Sequence, residues 1–243
     1  VVLSRGLGDV YKRQIVNDDK TVEFLETINH RKFHKDLGGV IPEMAARQHL
    51  EILDILGKSI KKINFSKISA IAATFGPGLI GGLIVGSSFA KGLSISKNIK
   101  LVAINHLQAH LLSPRLVSEI KFPYLCLLVS GGNTALVLVK NSKSFITLGS
   151  TIDDSAGECF DKVAKGLGLG YPGGPEIEHL ALGGNTEKFK LPMPLTKKNN
   201  CDFSFSGLKT AALNTIRNNK KTKLFLRDFS ASFQHTCLLY TSP

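Results

Sequence analysis

Two histidines, His106 and His110, are the residues whose type and spacing first suggest chemistry. They are four residues apart in the run Asn105-His-Leu-Gln-Ala-His110, and residues at that spacing on a helix lie roughly 6 Å apart on one face. Imidazole is a common ligand of zinc and similar metals, so the pair predicts two ligands of one metal ion. The alternative is two histidines that share a helix face without a metal. A peptidase site of the HExxH type is disfavoured, because Leu107 stands where that site needs its glutamate.

Two glycine-rich turns predict contact with an anion or an acyl group. Gly76-Pro-Gly78 precedes a predicted helix, where free N–H groups and the helix dipole attract a phosphate. Ser130-Gly-Gly-Asn-Thr134 joins two predicted strands, and its glycines would let a phosphate or acyl group approach the main chain. Each turn also has a plain structural explanation, since glycine occurs wherever the backbone needs a positive φ. Together the turns favour a nucleotide-like ligand.

Three carboxylates are predicted to share one face of a helix that spans residues 153–167. Asp154, Glu158 and Asp161 follow the spacing i, i+4 and i+7. Two lysines on adjacent positions leave open an ordinary surface helix with ion pairs, and Asp153 and Asp154 are also suited to cap the helix. Asp161 is then the predicted ligand contact, for example to ribose hydroxyls.

Strands and helices alternate along the chain, which predicts an α/β fold. The predicted helices cover residues 42–57, 79–96, 153–167, 205–216 and 225–234, and a further helix carries the two histidines. The predicted strands cover residues 68–75, 100–104, 123–129 and 135–140, of which the last two form a hairpin. Residues 170–175 are predicted as a turn and residues 197–200 as a loop.

Composition limits the classes of protein to which the chain can belong. With 243 residues and 43% apolar content it can bury a core of one large or two smaller domains. No apolar run reaches the roughly 20 residues of a membrane span, and no signal peptide is evident. Four cysteines without CxxC spacing fit a reducing cytoplasm.

The chain is strongly basic, with 31 Lys and Arg against 19 Asp and Glu and a net charge of +12. Such a charge suits a partner rich in phosphate. Lysine clusters without interleaved aromatic residues are, however, also typical of a solvated surface. The clusters are Lys58, Lys61, Lys62 and Lys67, then Lys197 and Lys198, then Lys220, Lys221 and Lys223.

Eight short motifs follow one another along the chain. They are Pro42-Glu-Met-Ala-Ala-Arg-Gln-His49, Phe75-Gly-Pro-Gly-Leu-Ile-Gly81, Ser88-Phe-Ala-Lys-Gly92, Asn105-His-Leu-Gln-Ala-His110, Val129-Ser-Gly-Gly-Asn-Thr134, Asp153-Asp-Ser-Ala-Gly-Glu-Cys-Phe-Asp-Lys162, Tyr171-Pro-Gly-Gly-Pro175 and Phe203-Ser-Phe-Ser-Gly-Leu-Lys209. In type and order they resemble one family, the tRNA N6-adenosine threonylcarbamoyltransferases of the TsaD or Gcp type. The resemblance runs from about residue 15 to residue 234 and is specific, because many independent motifs agree.

This resemblance implies an actin-like ATPase fold of two lobes with a ligand cleft between them. It also implies transfer of a threonylcarbamoyl group from threonylcarbamoyl-adenylate to the exocyclic amine of the adenosine 3′ of the anticodon, in tRNAs that read ANN codons. The implied metal ligands are His106 and His110, which would hold one divalent metal, iron in the first place or zinc. The implied substrate contacts are Leu128, Val129, Ser130, Gly131, Gly132, Asp161, Gly174 and Glu178. The implied partners are tRNA, a TsaB-like and a TsaE-like protein, with no membrane.

The chain departs from the family pattern at three places. Asn133 stands where the family usually has histidine after Ser-Gly-Gly. The family's first strand and phosphate turn should precede residue 15, and an adenine-contacting Asn and a third metal ligand should follow residue 234. We therefore expect little transferase activity from these 243 residues alone.

The predicted organisation has four parts. Residues 1–14 and 236–243 are expected to be non-native flanks, residues 15–120 belong to the N-terminal lobe, and residues 121–235 begin the C-terminal lobe. The alternative function is that of a non-catalytic, TsaB-like scaffold of the same fold, which would have no need of a histidine pair. An actin-like sugar kinase or chaperone-type ATPase would share the glycine turns but equally lacks a reason for the pair.

Overall fold

The computed structural model describes residues 2–7, 10–29, 42–60, 63–195 and 200–241. The chain divides into two compact units, Val1–Glu119 and Ile120–Pro243. The predicted loop at 197–200 falls mostly outside the described residues, and so do Lys61, Lys62, Lys197 and Lys198. The predicted lobes and flanks remain predictions, although the described strands and helices extend into both flanks.

The first unit is built around a five-stranded sheet. Its strands are β1 (Val2–Leu7), β2 (Val10–Val16), β3 (Val22–Asn29), β4 (Ala70–Gly76) and β5 (Lys100–Asn105), in the order β3-β2-β1-β4-β5. The hairpin pairs β1–β2 and β2–β3 are antiparallel, whereas β1–β4 and β4–β5 are parallel. The parallel pair β4–β5 needs a crossover, and a helix supplies it.

Among the described residues of this unit, the α-helices are α1 (Pro42–Ile60), α2 (Ile80–Lys97) and α3 (His106–Leu112). The middle of β4 is apolar and buried, and Ile71 and Ala73 form a small core with Ala90 of α2. Such a continuously apolar short strand is typical of a parallel sheet that is covered on its faces. The crossover therefore fixes β5 beside β4, and β5 leads directly into the helix with the two histidines.

The described part of the second unit combines an antiparallel sheet with four α-helices. The sheet order is β6 (Tyr124–Val129), β7 (Thr134–Asn141) and β8 (Ser144–Ser150). The helices are α4 (Ala156–Leu167), α5 (Gly173–Ala181), α6 (Ser206–Arg217) and α7 (Lys223–Thr241). Their main core is rich in phenylalanine, and Phe205, Phe229 and Phe233 are completely buried in it.

The α/β class predicted from the sequence is confirmed in both units, and so is the hairpin of β6 and β7. Two predictions were wrong in detail. The helix predicted over 153–167 begins at Ala156, because Ser155 caps it by accepting a hydrogen bond from the N–H of Glu158. The turn predicted over 170–175 contains the start of α5, since Pro175 lies in the first helical turn, where its missing N–H costs nothing. Among the helices that the structure describes, none is long and apolar enough to cross a membrane.

Candidate functional site

A cavity of about 560 Å³ lies in the second unit, where the end of β6 meets α4, α5 and α7. Six of the eight predicted substrate contacts line this pocket: Val129, Ser130, Gly131, Asp161, Gly174 and Glu178. The other two do not. Leu128 is buried within β6, and Gly132 follows Gly131 in the turn between β6 and β7. The six predicted contacts, which span the 49 positions from Val129 to Glu178, therefore lie at one cavity.

The glycine turn after β6 is held by its own backbone. The N–H of Ser130 donates to the carbonyl oxygen of Asn133 at 2.8 Å, and the N–H of Asn133 donates back to the Ser130 hydroxyl at 3.0 Å. These bonds use the backbone of Asn133, so the exchange of the family's histidine for asparagine leaves them intact. Gly131 and Gly132 are exposed and have open space where a side chain would be.

The first turn of α4 packs directly against this glycine turn. Ser155 donates a hydrogen bond from its hydroxyl to the carbonyl oxygen of Gly131 at 2.7 Å, and the N–H of Ala156 donates to the Thr134 hydroxyl at 2.9 Å. Gly157 makes the approach possible, because a Cβ there would lie 2.5 Å from the Ser130 carbonyl oxygen. A side chain at position 157 would therefore push α4 away from the glycine turn, and both Gly131 and Gly157 line the pocket.

Asp161 lies at the pocket and also holds the start of α5. Its carboxylate accepts a hydrogen bond from the N–H of Gly173 at 2.7 Å, which satisfies one of the free donors at that helix end. Burial raises the pKa of Asp161 and outweighs the lowering effect of the Gly173 bond. Glu178 is exposed on α5 and gives the pocket a second carboxylate.

The predicted helix face with three carboxylates does not exist, because Asp154 lies before α4. Asp154 instead pairs with Lys209 of α6 and lies 3.7 Å from the ammonium of Lys162. Glu158 pairs with Lys162 at 2.6 Å. These ion pairs support the alternative of an ordinary salt-bridged surface for Asp154 and Glu158, and Asp161 alone of the three lines the pocket.

Asp153 fixes the start of α6 rather than that of α4. Its carboxylate accepts hydrogen bonds from the hydroxyls of Ser204 and Ser206 and from the N–H groups of Phe205 and Ser206, at 2.6–3.2 Å. Burial acts to raise the pKa of Asp153, but these four bonds together lower it to about 2. Both aspartates of the β8–α4 connection therefore hold the motif Phe203-Ser-Phe-Ser-Gly-Leu-Lys209: Asp153 through these hydrogen bonds, and Asp154 through its ion pair with Lys209.

The two histidines lie in the first unit, at the start of α3. Asn105 caps this helix, since its side-chain oxygen accepts hydrogen bonds from the N–H groups of Leu107 and Gln108. The Nε2 atoms of His106 and His110 lie 2.8 Å apart. Zinc–nitrogen bonds are about 2.0–2.1 Å and zinc sites are usually tetrahedral, so two imidazoles on one zinc ion would place these atoms roughly 3.3 Å apart. At similar bond lengths, two ligands at the right angle of an octahedral ion would lie roughly 2.9 Å apart, closer to the observed distance.

The pair therefore fits two ligands of one metal ion, and it equally fits a hydrogen bond between one imidazole and the other. Within the described ranges no group of three or more His, Cys, Asp and Glu residues converges as a metal site would require.

In the predicted anion turn, Gly76 and Gly78 have positive φ values of 156° and 155°. This agrees with the structural explanation for their glycines and leaves the anion site a prediction.

Sequence reasoning missed eight of the residues that line the pocket, among them Phe160, Tyr171 and Gln234. Tyr171 belongs to the motif Tyr171-Pro-Gly-Gly-Pro175, of which only Gly174 was predicted as a contact. Gln234 lies on α7, and its side-chain oxygen is buried without a hydrogen-bond partner among the described residues. No local sequence pattern predicts that Gln234 lines the pocket, because its position there depends on the packing of α7 against α5.

The structure thus shows an α/β protein with a glycine-lined cavity that has two carboxylates and a buried amide oxygen in its lining. The family model of TsaD, tRNA N6-adenosine threonylcarbamoyltransferase, matches residues 22–241. The chain belongs to this family, as the motifs predicted. Membership also agrees with the predicted fold class, α/β of the actin-like type.

Curated relatives with the name tRNA N6-adenosine threonylcarbamoyltransferase are about half identical to the chain. The one from Wolbachia pipientis wMel is 50% identical over 223 residues, which are 90% of this chain and 66% of the relative. The one from Gluconobacter oxydans is 50% identical over 214 residues, which are 83% of this chain and 59% of the relative. The chain thus spans slightly less than two thirds of the length of these relatives.

Solved structures resemble the chain only distantly. An activator of 2-hydroxyisocaproyl-CoA dehydratase from Clostridium difficile with bound ADPNP is 14% identical, with a TM-score of 0.49 over 98% of this chain and 73% of that one. YeaZ from Pseudomonas aeruginosa is 14% identical, with a TM-score of 0.36 over 60% of this chain and 67% of that one. Likenesses at this level support no functional conclusion.

Proposed function

We propose that the protein to which this chain belongs transfers a threonylcarbamoyl group from threonylcarbamoyl-adenylate to the exocyclic amine of the adenosine 3′ of the anticodon, in tRNAs that read ANN codons. The observation that carries this proposal is the family membership, with relatives of that name at about 50% identity. It is supported by the pocket, at which six of the eight residues expected from the family meet.

In this proposal the pocket of the second unit holds the adenylate part of the donor. The carboxylates of Asp161 and Glu178 are suited to accept hydrogen bonds from the two ribose hydroxyls. The exposed amides of Gly131 and Gly132 are suited to the phosphate or the carbamoyl oxygen, because neither glycine has a side chain in the way. A backbone N–H group that donates a hydrogen bond to the developing oxyanion typically stabilises it by a few kcal/mol.

The reaction needs no nucleophilic side chain. The adenosine amine attacks the carbamoyl carbon, a C–N bond forms, the bond from that carbon to the phosphate oxygen breaks, and AMP leaves with the electron pair. The amine gives up one proton. The protein's contribution is to hold the donor still and to place N–H groups where negative charge develops.

His106 and His110 would hold a divalent metal, which when bound supplies Lewis-acid polarisation of the acyl donor. The distance of 2.8 Å between their Nε2 atoms supports this assignment. Iron is our first choice and zinc the second. The net charge of +12 supports tRNA as the second substrate, and we propose TsaB-like and TsaE-like proteins as partners in the cytoplasm.

The test uses the whole protein that contains this chain. Purified protein, unmodified tRNA and threonylcarbamoyl-adenylate are combined, and the modified nucleoside is measured by mass spectrometry after digestion. We expect product formation with the parent and its loss, together with loss of bound metal, in His106→Ala and His110→Ala. Gln108→Ala is the matched control, because Gln108 lies on the same helix and is exposed.

Two results would contradict the proposal. A parent protein that makes no modified nucleoside under these conditions would favour the scaffold alternative. Metal content and product formation that are unchanged in both histidine variants would remove the role of the pair.

A further inference from the structure

Five basic side chains of the second unit gather where three helices end or begin. Between residues 203 and 227 the sequence has six Lys and Arg residues and no Asp or Glu. Four of the six lie close together in the chain, at the end of α6 and the start of α7. They are Arg217, Lys220, Lys221 and Lys223, and all four are exposed.

Folding adds a fifth cation to this group. The ammonium of Lys221 donates a hydrogen bond to the carbonyl oxygen of Gly166 at 2.7 Å, which brings the α6–α7 connection against the last turn of α4. Lys165, the neighbour of Gly166, is exposed at the same place. We call the surface formed by Lys165, Arg217, Lys220, Lys221 and Lys223 the basic edge.

The basic edge is not neutralised by the protein. Two other lysines of the same unit are paired, Lys162 with Glu158 and Lys209 with Asp154. For the five residues of the basic edge, no carboxylate among the described residues lies within ion-pair distance. A helix C-terminus attracts cations, and this explains Lys221 at the end of α4. The same effect accounts for Lys165 and Arg217 in the last turns of α4 and α6. It does not account for Lys220 in the α6–α7 connection or for Lys223, which begins α7.

We propose that the basic edge binds the sugar-phosphate backbone of the RNA substrate. This inference rests on the proposed function, since it locates the tRNA contact of that same protein. The five cations come from three helix ends, and each is exposed. Such an arrangement suits a row of phosphates, each of which releases counterions when it is neutralised, better than a single bound phosphate.

The experiment compares two triple variants of the whole protein with equal changes in charge. The edge variant carries Lys165→Ala, Lys220→Ala and Lys223→Ala and leaves the capping Lys221 in place. The control variant carries substitutions at three exposed lysines of the same unit that lie away from the basic edge in sequence: Lys140→Ala, Lys143→Ala and Lys188→Ala. Binding of an unmodified tRNA is measured by fluorescence anisotropy between about 50 and 200 mM salt.

We expect the edge variant to bind tRNA more weakly and to lose about 2 to 3 units from the slope of log affinity against log salt, close to one per phosphate contact. The control variant should keep the parent's slope. Both variants should keep the parent's melting temperature and its affinity for AMP, because neither touches the pocket.

Equal affinities and slopes in the two variants would overturn the inference, as would an unchanged slope in the edge variant. If the parent nevertheless forms the modified nucleoside, the proposed function stands and only the location of the RNA contact fails. If the edge variant loses RNA binding while the parent has no transferase activity, the reverse holds.

Discussion

Replacement of Gly157 by alanine should both destabilise the second unit and impair its pocket. A Cβ at this position would lie 2.5 Å from the carbonyl oxygen of Ser130 and 2.8 Å from the backbone N and Cα of Gly131. These are backbone atoms, and the hydrogen bond from Ser155 to Gly131 holds them in place. The clash can therefore be relieved only if α4 moves away from the glycine turn.

The magnitude follows from two opposing effects. Forcing an extra carbon into a filled site costs about 1–3 kcal/mol, whereas alanine in place of glycine within a helix gains up to about 1 kcal/mol. We expect a net loss of about 1–2 kcal/mol. For a chain of this size that corresponds to a decrease of roughly 2–8 °C in melting temperature. The affinity for AMP should fall as well, because the displaced turn lines the pocket.

Gly207→Ala provides the matched control. Gly207 is the second residue of α6, as Gly157 is of α4, but a Cβ on it would have open space. Urea unfolding and calorimetric titration with AMP would be carried out on the parent and both variants. The control should be at least as stable as the parent. If Gly157→Ala is equally stable and binds AMP with the parent's affinity, the reasoning from close packing is wrong.

Three further predictions concern single side chains. The folded-state pKa of Asp153, about 2, lies below its ordinary 3.8, so its contribution to stability is complete above pH 3.8 and is lost as the pH falls toward 2. Asp153→Asn should reduce the change in melting temperature over this range, and an unchanged curve would contradict the network. Burial raises the pKa of Cys159 to about 12, whereas Cys201 is exposed; iodoacetamide should therefore label Cys201 first, and early labelling of Cys159 in native protein would refute its burial. Gln234→Leu should weaken AMP binding without loss of stability, since the buried oxygen of Gln234 has no partner to lose; unchanged affinity would exclude Gln234 from the site.

The sequence predicted those parts of the fold that depend on local pattern. Apolar runs indicated β4 and β6, the spacing of apolar residues indicated α1, and the turn Gly76-Pro-Gly78 indicated the start of α2, each to within a few residues. The sequence contains a signal for the observed start of α4, because Ser155 and Glu158 form the capping pattern of serine followed three residues later by glutamate. The helix was nevertheless predicted to begin at residue 153, since the aspartates Asp153 and Asp154 are equally typical of helix starts.

The remaining features depend on contacts between distant parts of the chain. Asp153 and Ser204 are 51 residues apart, and Lys221 and Gly166 are 55 apart. No periodicity specifies which loop receives a given carboxylate or which helix end receives a given lysine. The predicted site residues came from the family resemblance, and Gln234 lies outside the motifs that carry that resemblance.

The hydrogen bond between Asp161 and Gly173 gives one carboxylate two duties. A ligand that takes up the second oxygen of Asp161 would immobilise the same group that anchors α5, so occupancy of the cavity would tighten a helix several residues long. Exchange of the Gly173 amide proton with deuterium would slow on ligand addition, and it would speed up when Asp161 is truncated to alanine. That single amide therefore reports whether a change at Asp161 has loosened the scaffold or only removed a contact to the ligand.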